Sequence, residues 1–197
     1  MILLGDELGA ILTAGKTPRI LLHCCCAPCA CYVLEYLSPL FEITVFFYNP
    51  NIRPREEYDK REAELVRLLS LAEYQNSAQI IKTDYGFSSF DAVAEPFLDE
   101  PEGGRRCRAC FELRLSETAR RAKEDSFEYF ATTLSVSPHK NAKLLNEIGG
   151  ELEGEYGVKY LHADFKKRNG YMRSVELSKQ FGLYRQSYCG CAVKVEN

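Results

Sequence analysis

The chain carries nine cysteines, and their spacing is its first chemical signal. They fall into three stretches that lie far apart in the sequence: Cys24, Cys25, Cys26, Cys29 and Cys31; the C-x-x-C pair Cys107 and Cys110; and Cys189-Gly190-Cys191. Nine thiols are too many for an ordinary cytoplasmic enzyme and too few for a fold that depends on disulfides. The pattern therefore indicates metal binding or redox chemistry.

The first two stretches can supply a site of four sulfurs. Adjacent residues of an extended strand point to opposite faces, so three successive cysteines cannot all bind one metal unless the backbone turns there. Two thiolates from residues 24–26 and two from the C-x-x-C pair suit either a 4Fe-4S cluster or tetrahedral zinc. Pro28 favours a helix start, and helix N-termini lower thiol pKa values. Three arginines would add positive charge around the C-x-x-C pair: Arg105, Arg106 and Arg108.

The third stretch and the remaining thiols allow more than one interpretation. A C-x-C pair can close into a small strained disulfide that is easily reduced, which makes Cys189 and Cys191 candidates for a redox relay. Buried free cysteine is also a common small core residue, and for Cys26, Cys29 and Cys31 individually that interpretation is at least as good as a functional one. The histidines are isolated in sequence, so a histidine-rich metal site is not supported.

The elements that must position these residues follow from hydrophobic patterns. Short runs rich in β-branched or aromatic residues predict strands at 19–23, 42–48, 79–84, 129–133 and 158–162. Helical spacing of apolar residues predicts helices at 28–37, 55–74, 107–123, 141–153 and 171–181. This alternation implies an α/β fold, with a mainly parallel sheet and helices on both faces. We expect a single α/β domain over residues 1–197, with a C-terminal Cys-Gly-Cys segment at 184–197.

The predicted strand ends carry polar and thiol-bearing residues. In open parallel sheets, chemistry collects outside the carboxyl ends of the strands. Here those ends hold His23 and the cysteines that follow it, Asn49, Asn51, Asp84, Thr132, Thr133 and Asp164. The sequence therefore predicts that one sheet edge gathers thiolates, carboxylates and amides.

Composition limits the class of protein but not its partner. With 46% hydrophobic and 27% charged residues, the chain has the composition of an ordinary globular protein. It shows neither a secretory signal pattern nor an apolar run long enough to cross a bilayer, so we expect a cytoplasmic protein without membrane contact. The net charge of -3 gives no global positive field, so any nucleic-acid contact must depend on local patches.

Four segments taken together resemble the epoxyqueuosine reductases of the QueH type. They are H-C-C-C-A-P-C at 23–29, F-Y-N-P-N-I at 47–52, G-G-R-R-C-R-A-C-F-E-L-R-L at 103–115 and Y-R-Q-S-Y-C-G-C at 184–191. T-T-L-S-V-S-P-H-K at 132–140 and D-F-K-K-R-N-G-Y at 164–171 are also similar, so the resemblance runs from about residue 18 to 191. Each segment alone would be weak, but their order and spacing are specific.

This resemblance implies an activity, a fold and a cofactor. The family reduces the epoxide of epoxyqueuosine in the tRNA anticodon loop to queuosine, the last step of queuosine biosynthesis, without cobalamin. The resemblance assigns 4Fe-4S ligands to Cys24, Cys25, Cys107 and Cys110, and a redox-active disulfide to Cys189 and Cys191. It also implies a sheet like that of the adenine-nucleotide hydrolase superfamily, a HUP-like Rossmannoid fold. Cysteines stand where that fold has its glycine-rich nucleotide loop, so ATP binding is not expected.

A second metal is an open alternative to the dithiol as the partner of the cluster. A 4Fe-4S cluster passes one electron at a time, whereas removal of an epoxide oxygen as water needs two. We hypothesise that Asp84 or Asp164, with a spare thiolate such as Cys26 or Cys29, helps to hold a second mononuclear iron or donates a proton. The alternative is that these aspartates cap helices or solvate a loop.

Candidates for tRNA contact lie in loops and helix starts at the same predicted edge. The basic ones are Arg53, Arg55, Arg105, Arg106, Arg108 and the run Lys166-Lys167-Arg168; the aromatic ones are Tyr48, Tyr85 and Tyr171. Basic side chains would contact phosphates, and tyrosines could stack on an unstacked base. Most have an equally simple interpretation as solvated surface or core, and only the run at 166–168 stands out. The electron donor cannot be identified from the sequence.

Two competing functions remain open at this point. One is a non-catalytic metal-binding protein that senses redox state, and the other is a metal-free thiol-disulfide enzyme. An iron-sulfur protein would be brown after anaerobic purification, whereas zinc and disulfides are colourless in that region of the spectrum.

Overall fold

A five-stranded parallel sheet forms the centre of the molecule. The structure, a computed structural model, describes residues 17–74 and 78–191. Its strands are β1 (Arg19–His23), β2 (Glu42–Phe47), β3 (Gln79–Lys82), β4 (Tyr129–Thr132) and β5 (Lys159–Tyr160). They lie in the order β3-β2-β1-β4-β5, and every neighbouring pair is parallel. The predicted α/β class with a parallel sheet is thus confirmed.

Helices cover both faces of this sheet. They are α1 (Ala27–Leu37), α2 (Arg55–Leu71), α3 (Ser88–Ala94), α4 (Arg105–Glu124), α5 (Ala142–Tyr156) and α6 (Gly170–Gln180). Helix α1 packs against α2 and α6 on one face, and α4 packs against α5 on the other. Short 3-10 helices at Glu95–Phe97 and Thr133–Val136 lead into α4 and follow β4. No helix among the described residues is long and apolar enough to cross a membrane.

The central strand β1 explains why the sheet is buried on both sides. Ile20 and Leu22 point into the core under α1, α2 and α6, whereas Leu21 points into the core under α4 and α5. This alternation is the ordinary geometry of a strand, and continuous apolar sequence is typical of parallel strands covered twice. Glu42 pairs with Arg19 and Phe46 with His23, so β1 and β2 end side by side.

Two sequence expectations differ from the structure in detail. Strand β5 has only two residues where five were predicted, because its chain leaves the ladder after Tyr160. Helix α3 was not predicted, since its seven residues are too few to establish a helical pattern. The C-terminal segment predicted at 184–197 is described as far as Cys191, and residues 192–197 lie outside the described residues. Residues 1–16, included in the expected single domain, also lie outside them.

Two glycines of α5 give a direct test of this packing. A Cβ added to Gly149 would lie 2.3 Å from the Tyr160 ring, whereas one added to Gly154 would meet nothing within 4 Å. We expect Gly149→Ala to lower the free energy of unfolding by about 1–3 kcal/mol through overpacking. Gly154→Ala, on the same helix, should raise it by about 0.5–1 kcal/mol. Urea unfolding of both variants checks this, and equal effects of the two would contradict the packing of α5 on β5.

Candidate metal and redox centre

The first cysteine stretch lies where β1 gives way to α1. Cys26 is the residue just before α1, and Pro28 lies in the first turn of that helix, as expected. The backbone turns here, and the amide of Cys24 donates to the carbonyl of Phe46 at 3.0 Å. The thiols of successive residues are therefore distributed over both sides of the sheet edge.

Three thiols of this stretch form a compact group. The Sγ atoms of Cys25, Cys26 and Cys29 all lie within 4.8 Å of one another, with Cys25 and Cys26 at 3.7 Å. Hydrogen bonds with Cys26 and Cys29 hold the pKa of the Cys25 thiol well below its ordinary value, and Arg114 adds to this against the effect of burial. The hydrogen bond between Cys25 and Cys26 raises the pKa of Cys26 to about 12. This group can bind a metal ion, and Cys25 is the thiol in it whose ionisation is most favoured.

Cys24 points the other way. Its side chain is fully buried and continues the row of Ile20 and Leu22 into the core beneath α1. Burial raises the pKa of this thiol well above its ordinary value, and the neighbouring sulfurs of Cys25 and Cys26 raise it further. Cys24 and Cys25, which the resemblance pairs as ligands, thus pack in different hydrophobic clusters.

The C-x-x-C pair opens α4, as predicted, and lies in the same region. The amide of Gly103, which has φ of +94°, donates to the sulfur of Cys107 at 3.2 Å. Cys107 belongs to the hydrophobic cluster against which Cys25 packs. Cys110 instead packs with Cys191 beneath α3, so the pair extends from the first cysteine stretch to the third.

A buried arginine, Arg114, lies one turn further along α4 and was not singled out from the sequence. Its Nη2 donates to Asn49 Oδ1 at 2.7 Å, its Nε to His23 Nε2 at 3.2 Å and its Nη1 to Cys110 Sγ at 3.9 Å. Burial would lower the pKa of Arg114, but the sulfurs of Cys110 and Cys25 outweigh this and raise it. The sequence signal was its spacing: Arg114 follows Cys110 by four residues and hence shares its helix face.

The three arginines expected to stabilise the thiolates have other partners. Arg105 binds Glu100, Arg106 donates to the carbonyl of Leu98 at 2.7 Å, and Arg108 binds Glu112 at 2.7 Å. These partners are carboxylates and a backbone carbonyl on the outer side of the helix start. The expectation was wrong in its residues, because proximity in sequence did not show which helix face each arginine occupies.

The Cys-Gly-Cys segment lies beside Cys110 as a pair of free thiols. Cys191 donates to Cys189 at 3.4 Å between sulfurs. This hydrogen bond lowers the pKa of Cys189 to about 5 against the effect of burial, and the charges of Lys140 and Arg114 contribute to the lowering. Burial alone would lower the pKa of Lys140. The Cys189 sulfur and the ion pair between Lys140 and Glu102 outweigh the effect of burial, so the pKa of Lys140 is raised. A low-pKa thiol beside a second thiol is the arrangement of an exchanging dithiol.

Helix α2 and the loop before it contact the Cys-Gly-Cys segment. Arg61 forms a buried ion pair with Glu57 at 2.6 Å and also donates to the carbonyl of Tyr188 at 3.5 Å. The amide of Arg53 donates to the carbonyl of Gly190 at 3.1 Å. Gly190 is required here, since a Cβ would lie 2.9 Å from the backbone of Ile52.

The first and third stretches line one cleft of about 490 Å³, within the size range of small-molecule sites. The second stretch adjoins it through Arg114, which lines the cleft and donates to Cys110. It is lined by Cys25, Cys26, Cys29, Asn51, Arg61, Glu102, Arg114, Lys140, Tyr171, Arg185, Gln186, Tyr188, Cys189 and Gly190, among others. Asn51 is buried, and its Oδ1 atom has no hydrogen-bond partner among the described residues. Such an orphaned buried oxygen is expected where a ligand or water completes the site.

Several other predicted site residues lie outside this cleft. Asp84 is exposed, and Asp164 accepts from Lys166 at 2.8 Å; neither lines the cleft. Of the three tyrosines proposed for base stacking, only Tyr171 lines it. Tyr48 stacks on Phe46 instead.

Fold and site together define a cysteine-rich α/β protein with a group of thiols that could bind a metal at the carboxyl edge of a parallel sheet. The sequence model of the family Epoxyqueuosine reductase QueH matches residues 20–196. The chain therefore belongs to the QueH family of epoxyqueuosine reductases, and it is an oxidoreductase.

Curated relatives and a solved structure agree with this assignment. The chain is 46% identical over 176 residues to epoxyqueuosine reductase QueH of Streptococcus pyogenes serotype M1, covering 88% of this chain and 69% of that protein. It is 36% identical over 180 residues to the Thermotoga maritima enzyme of the same name, covering 87% and 88%. A predicted subunit of tRNA methyltransferase from Methanocaldococcus jannaschii shares the fold, with a TM-score of 0.52 and 14% identity over 82% of this chain and 76% of that one.

The Cys191–Cys189 hydrogen bond predicts the pH dependence of Cys189 alkylation. In the reduced protein, Cys189 is a thiolate above a pH of about 5, so its rate with iodoacetamide should be level from pH 6 upwards. An ordinary thiol would instead accelerate up to a pH of about 8.5. Cys191→Ala should move the inflection upwards, whereas Cys191→Ser keeps a donor and should move it less. Peptide mass spectrometry follows the site, and an inflection near 8.5 in the parent would contradict the assignment.

Proposed function

We propose that this protein reduces the epoxide of epoxyqueuosine in the tRNA anticodon loop, using a 4Fe-4S cluster and the Cys189–Cys191 dithiol. The observation that carries this proposal is one cleft lined by cysteines of the first and third stretches and by Arg114, a buried arginine that donates to Cys110 of the second stretch. A cytoplasmic location follows from a tRNA substrate. Neither cobalamin nor ATP has a role in the proposal.

For the cluster we propose the ligands Cys24, Cys25, Cys107 and Cys110. Three of these four ligands are supported by their positions. Cys25 lines the cleft, Cys107 lies in the hydrophobic cluster against which Cys25 packs, and Cys110 lies beside Arg114. All four are thiols, a donor set that suits iron-sulfur clusters. Cys24 is the ligand that most needs testing, because its side chain lies in the core, whereas the Sγ atom of Cys26 lies 3.7 Å from that of Cys25.

A second mononuclear iron remains a hypothesis with partial support. Cys26 and Cys29 are spare thiols beside Cys25 if the four ligands are as proposed, and they are suitable donors. The two aspartates hypothesised to assist lie outside the cleft. A ratio of iron to chain near five rather than four would support the second iron.

The reaction balances with the dithiol as the immediate source of two electrons. The epoxide takes up two electrons and two protons, both C–O bonds break, and the products are the alkene of queuosine and water. Oxidation of the two thiols to a disulfide releases two electrons and two protons, so one dithiol matches one epoxide. When bound, the cluster would transfer electrons one at a time. An unidentified external donor would reduce the disulfide back to the dithiol.

The described residues offer roles for the rest of the substrate. The ammonium of Lys140 lines the cleft near Cys189 and would stabilise negative charge on the epoxide oxygen as it leaves. Tyr171 and the half-exposed Tyr188 line the same cleft and would contact an unstacked base. Asn51 offers its orphaned amide oxygen to a donor on that base.

Anaerobic turnover with site variants tests the activity and the cluster together. Dithionite serves as reductant, tRNA carrying epoxyqueuosine as substrate, and nucleoside mass spectrometry detects loss of one oxygen. Cys107→Ala should lose the brown colour, the iron and the activity, whereas Cys189→Ala should keep the iron and lose turnover. Cys31→Ala is the matched control, because Cys31 is a buried thiol outside the cleft that donates to the carbonyl of Pro28.

The outcomes of this experiment separate the competing functions. Normal turnover by both variants would contradict the mechanism. A colourless parent that still exchanges disulfides would indicate a metal-free thiol enzyme, and an iron-bound parent without turnover would indicate a redox sensor. Comparison of iron content in Cys24→Ala and Cys26→Ala then decides the fourth ligand: retention of the cluster by the first and loss by the second would replace Cys24 with Cys26.

The basic run at 166–168 is proposed to bind tRNA phosphates beside the cleft. Lys166 and Lys167 both pair with Asp164, at 2.8 and 4.0 Å, but Lys167 and Arg168 are exposed. They lie just before α6, which contributes Tyr171 to the cleft. Each phosphate contact that a substitution removes should reduce the magnitude of the slope of log affinity against log salt concentration by about 1. We expect the double variant Lys167→Glu and Arg168→Glu to weaken tRNA binding several-fold and flatten the salt dependence.

A single charge reversal at another position, compared with the single variants Lys167→Glu and Arg168→Glu, distinguishes a local contact from net charge. Lys123 is exposed in the last turn of α4, near the start of β4 and hence at the opposite edge of the sheet. Lys123→Glu should leave the salt slope unchanged in filter-binding measurements. If it weakens binding as much as either single variant, the proposed contact is wrong.

A further inference from the structure

Arg114 is the most deeply buried cation at the cleft. It is 3% exposed, and each of its three nitrogens donates a hydrogen bond to a described residue. Two of these partners are not anions: Asn49 is an amide and His23 is an imidazole.

His23 is held at both ring nitrogens. Its Nε2 lies 3.2 Å from Arg114 Nε and 3.1 Å from the carbonyl oxygen of Tyr48, and its Nδ1 lies 2.9 Å from Thr132 Oγ1. The other side of the Arg114 guanidinium donates to Asn49 Oδ1, and Asn49 Nδ2 in turn donates to the carbonyl of Cys24 at 2.9 Å. Residues at the ends of β1, β2 and β4 therefore fix the guanidinium at one point.

The charge of Arg114 has no carboxylate partner among the described residues. The other strongly buried arginine, Arg61, is neutralised by Glu57 at 2.6 Å. Burying an unpaired charge is costly by several kcal/mol, so such a cation persists only where an anion compensates it. The groups that supply negative potential at Arg114 are the sulfurs of Cys110, Cys25 and Cys189.

We propose that Arg114 is the built-in counter-ion of the cysteine centre, a positioning residue that retains the bound cluster and favours its one-electron reduction. The proposal rests on the iron-sulfur cofactor proposed above. Thiolate ligands make such a centre negative, and reduction adds one more negative charge, which a fixed neighbouring cation stabilises. Hydrogen bonds to the sulfurs and local charge are established controls of cluster potential.

Two substitutions of Arg114 and a control on the same helix test this role. Arg114→Gln removes the charge, Arg114→Lys keeps the charge without the fork, and Arg108→Gln removes one charge from an exposed arginine paired with Glu112. The measurements are iron per chain after anaerobic reconstitution and the midpoint potential of the retained cluster by dithionite titration. Arg114→Gln should weaken metal retention by about 10- to 100-fold and shift the potential to more negative values. Arg114→Lys should recover part of both, and Arg108→Gln should match the parent.

A second variant keeps the proposal testable if Arg114→Gln does not fold. Asn49→Asp leaves Arg114 in place and gives it a carboxylate where Oδ1 now accepts at 2.7 Å. It should also shift the potential to more negative values. An unchanged potential in Asn49→Asp, or equal loss of iron in Arg114→Gln and Arg114→Lys with no shift in potential, would overturn the proposal. If the parent protein itself binds no iron, the proposed function fails. If the parent binds iron and the Arg114 variants match it in iron content and midpoint potential, only this inference is contradicted.

Discussion

Several cysteine sulfurs held within a few ångströms of one another, partly out of water, are the constraint on which this structure depends. Each lost hydration shell and each sulfur–sulfur repulsion favours the neutral thiol. Hydrogen bonds between neighbouring sulfurs, in the Cys25–Cys26 pair and from Cys191 to Cys189, lower the pKa of Cys25 and of Cys189. The structure adds two cations that converge on the sulfurs, Arg114 and Lys140. These groups define where negative charge can accumulate.

The fold brings these groups together through the parallel sheet and the helix α2. Because all strands run the same way, β1, β2 and β4 end at one edge, and their last residues fix His23, Asn49 and the Arg114 fork. Helix α2 binds the C-terminal segment through Arg61, which donates to the carbonyl of Tyr188. The dithiol, distant in sequence, is thereby placed beside Cys110. The site is thus shared by elements that span most of the described chain.

Much of this could be predicted from the sequence, for identifiable reasons. Buried strands such as β1 and β2 are continuous apolar runs, and glycines followed by C-x-x-C predict the start of α4. Parallel strands then place the cysteines at one edge by topology alone. What residue type could not predict was the direction of individual side chains. Cys24 continues the alternation of β1 into the core, and the arginine that reaches the sulfurs is Arg114 rather than Arg105, Arg106 or Arg108. Both depend on helix and strand phase, which residue type does not reveal.

Crystals of the anaerobically purified protein, with anomalous scattering recorded at the iron edge, test the central claim most directly. The account predicts iron within bonding distance of the sulfurs of Cys25, Cys107 and Cys110, with the Arg114 guanidinium beside the cluster. Iron bound only by Cys25, Cys26 and Cys29, or no iron at the cleft, would contradict it.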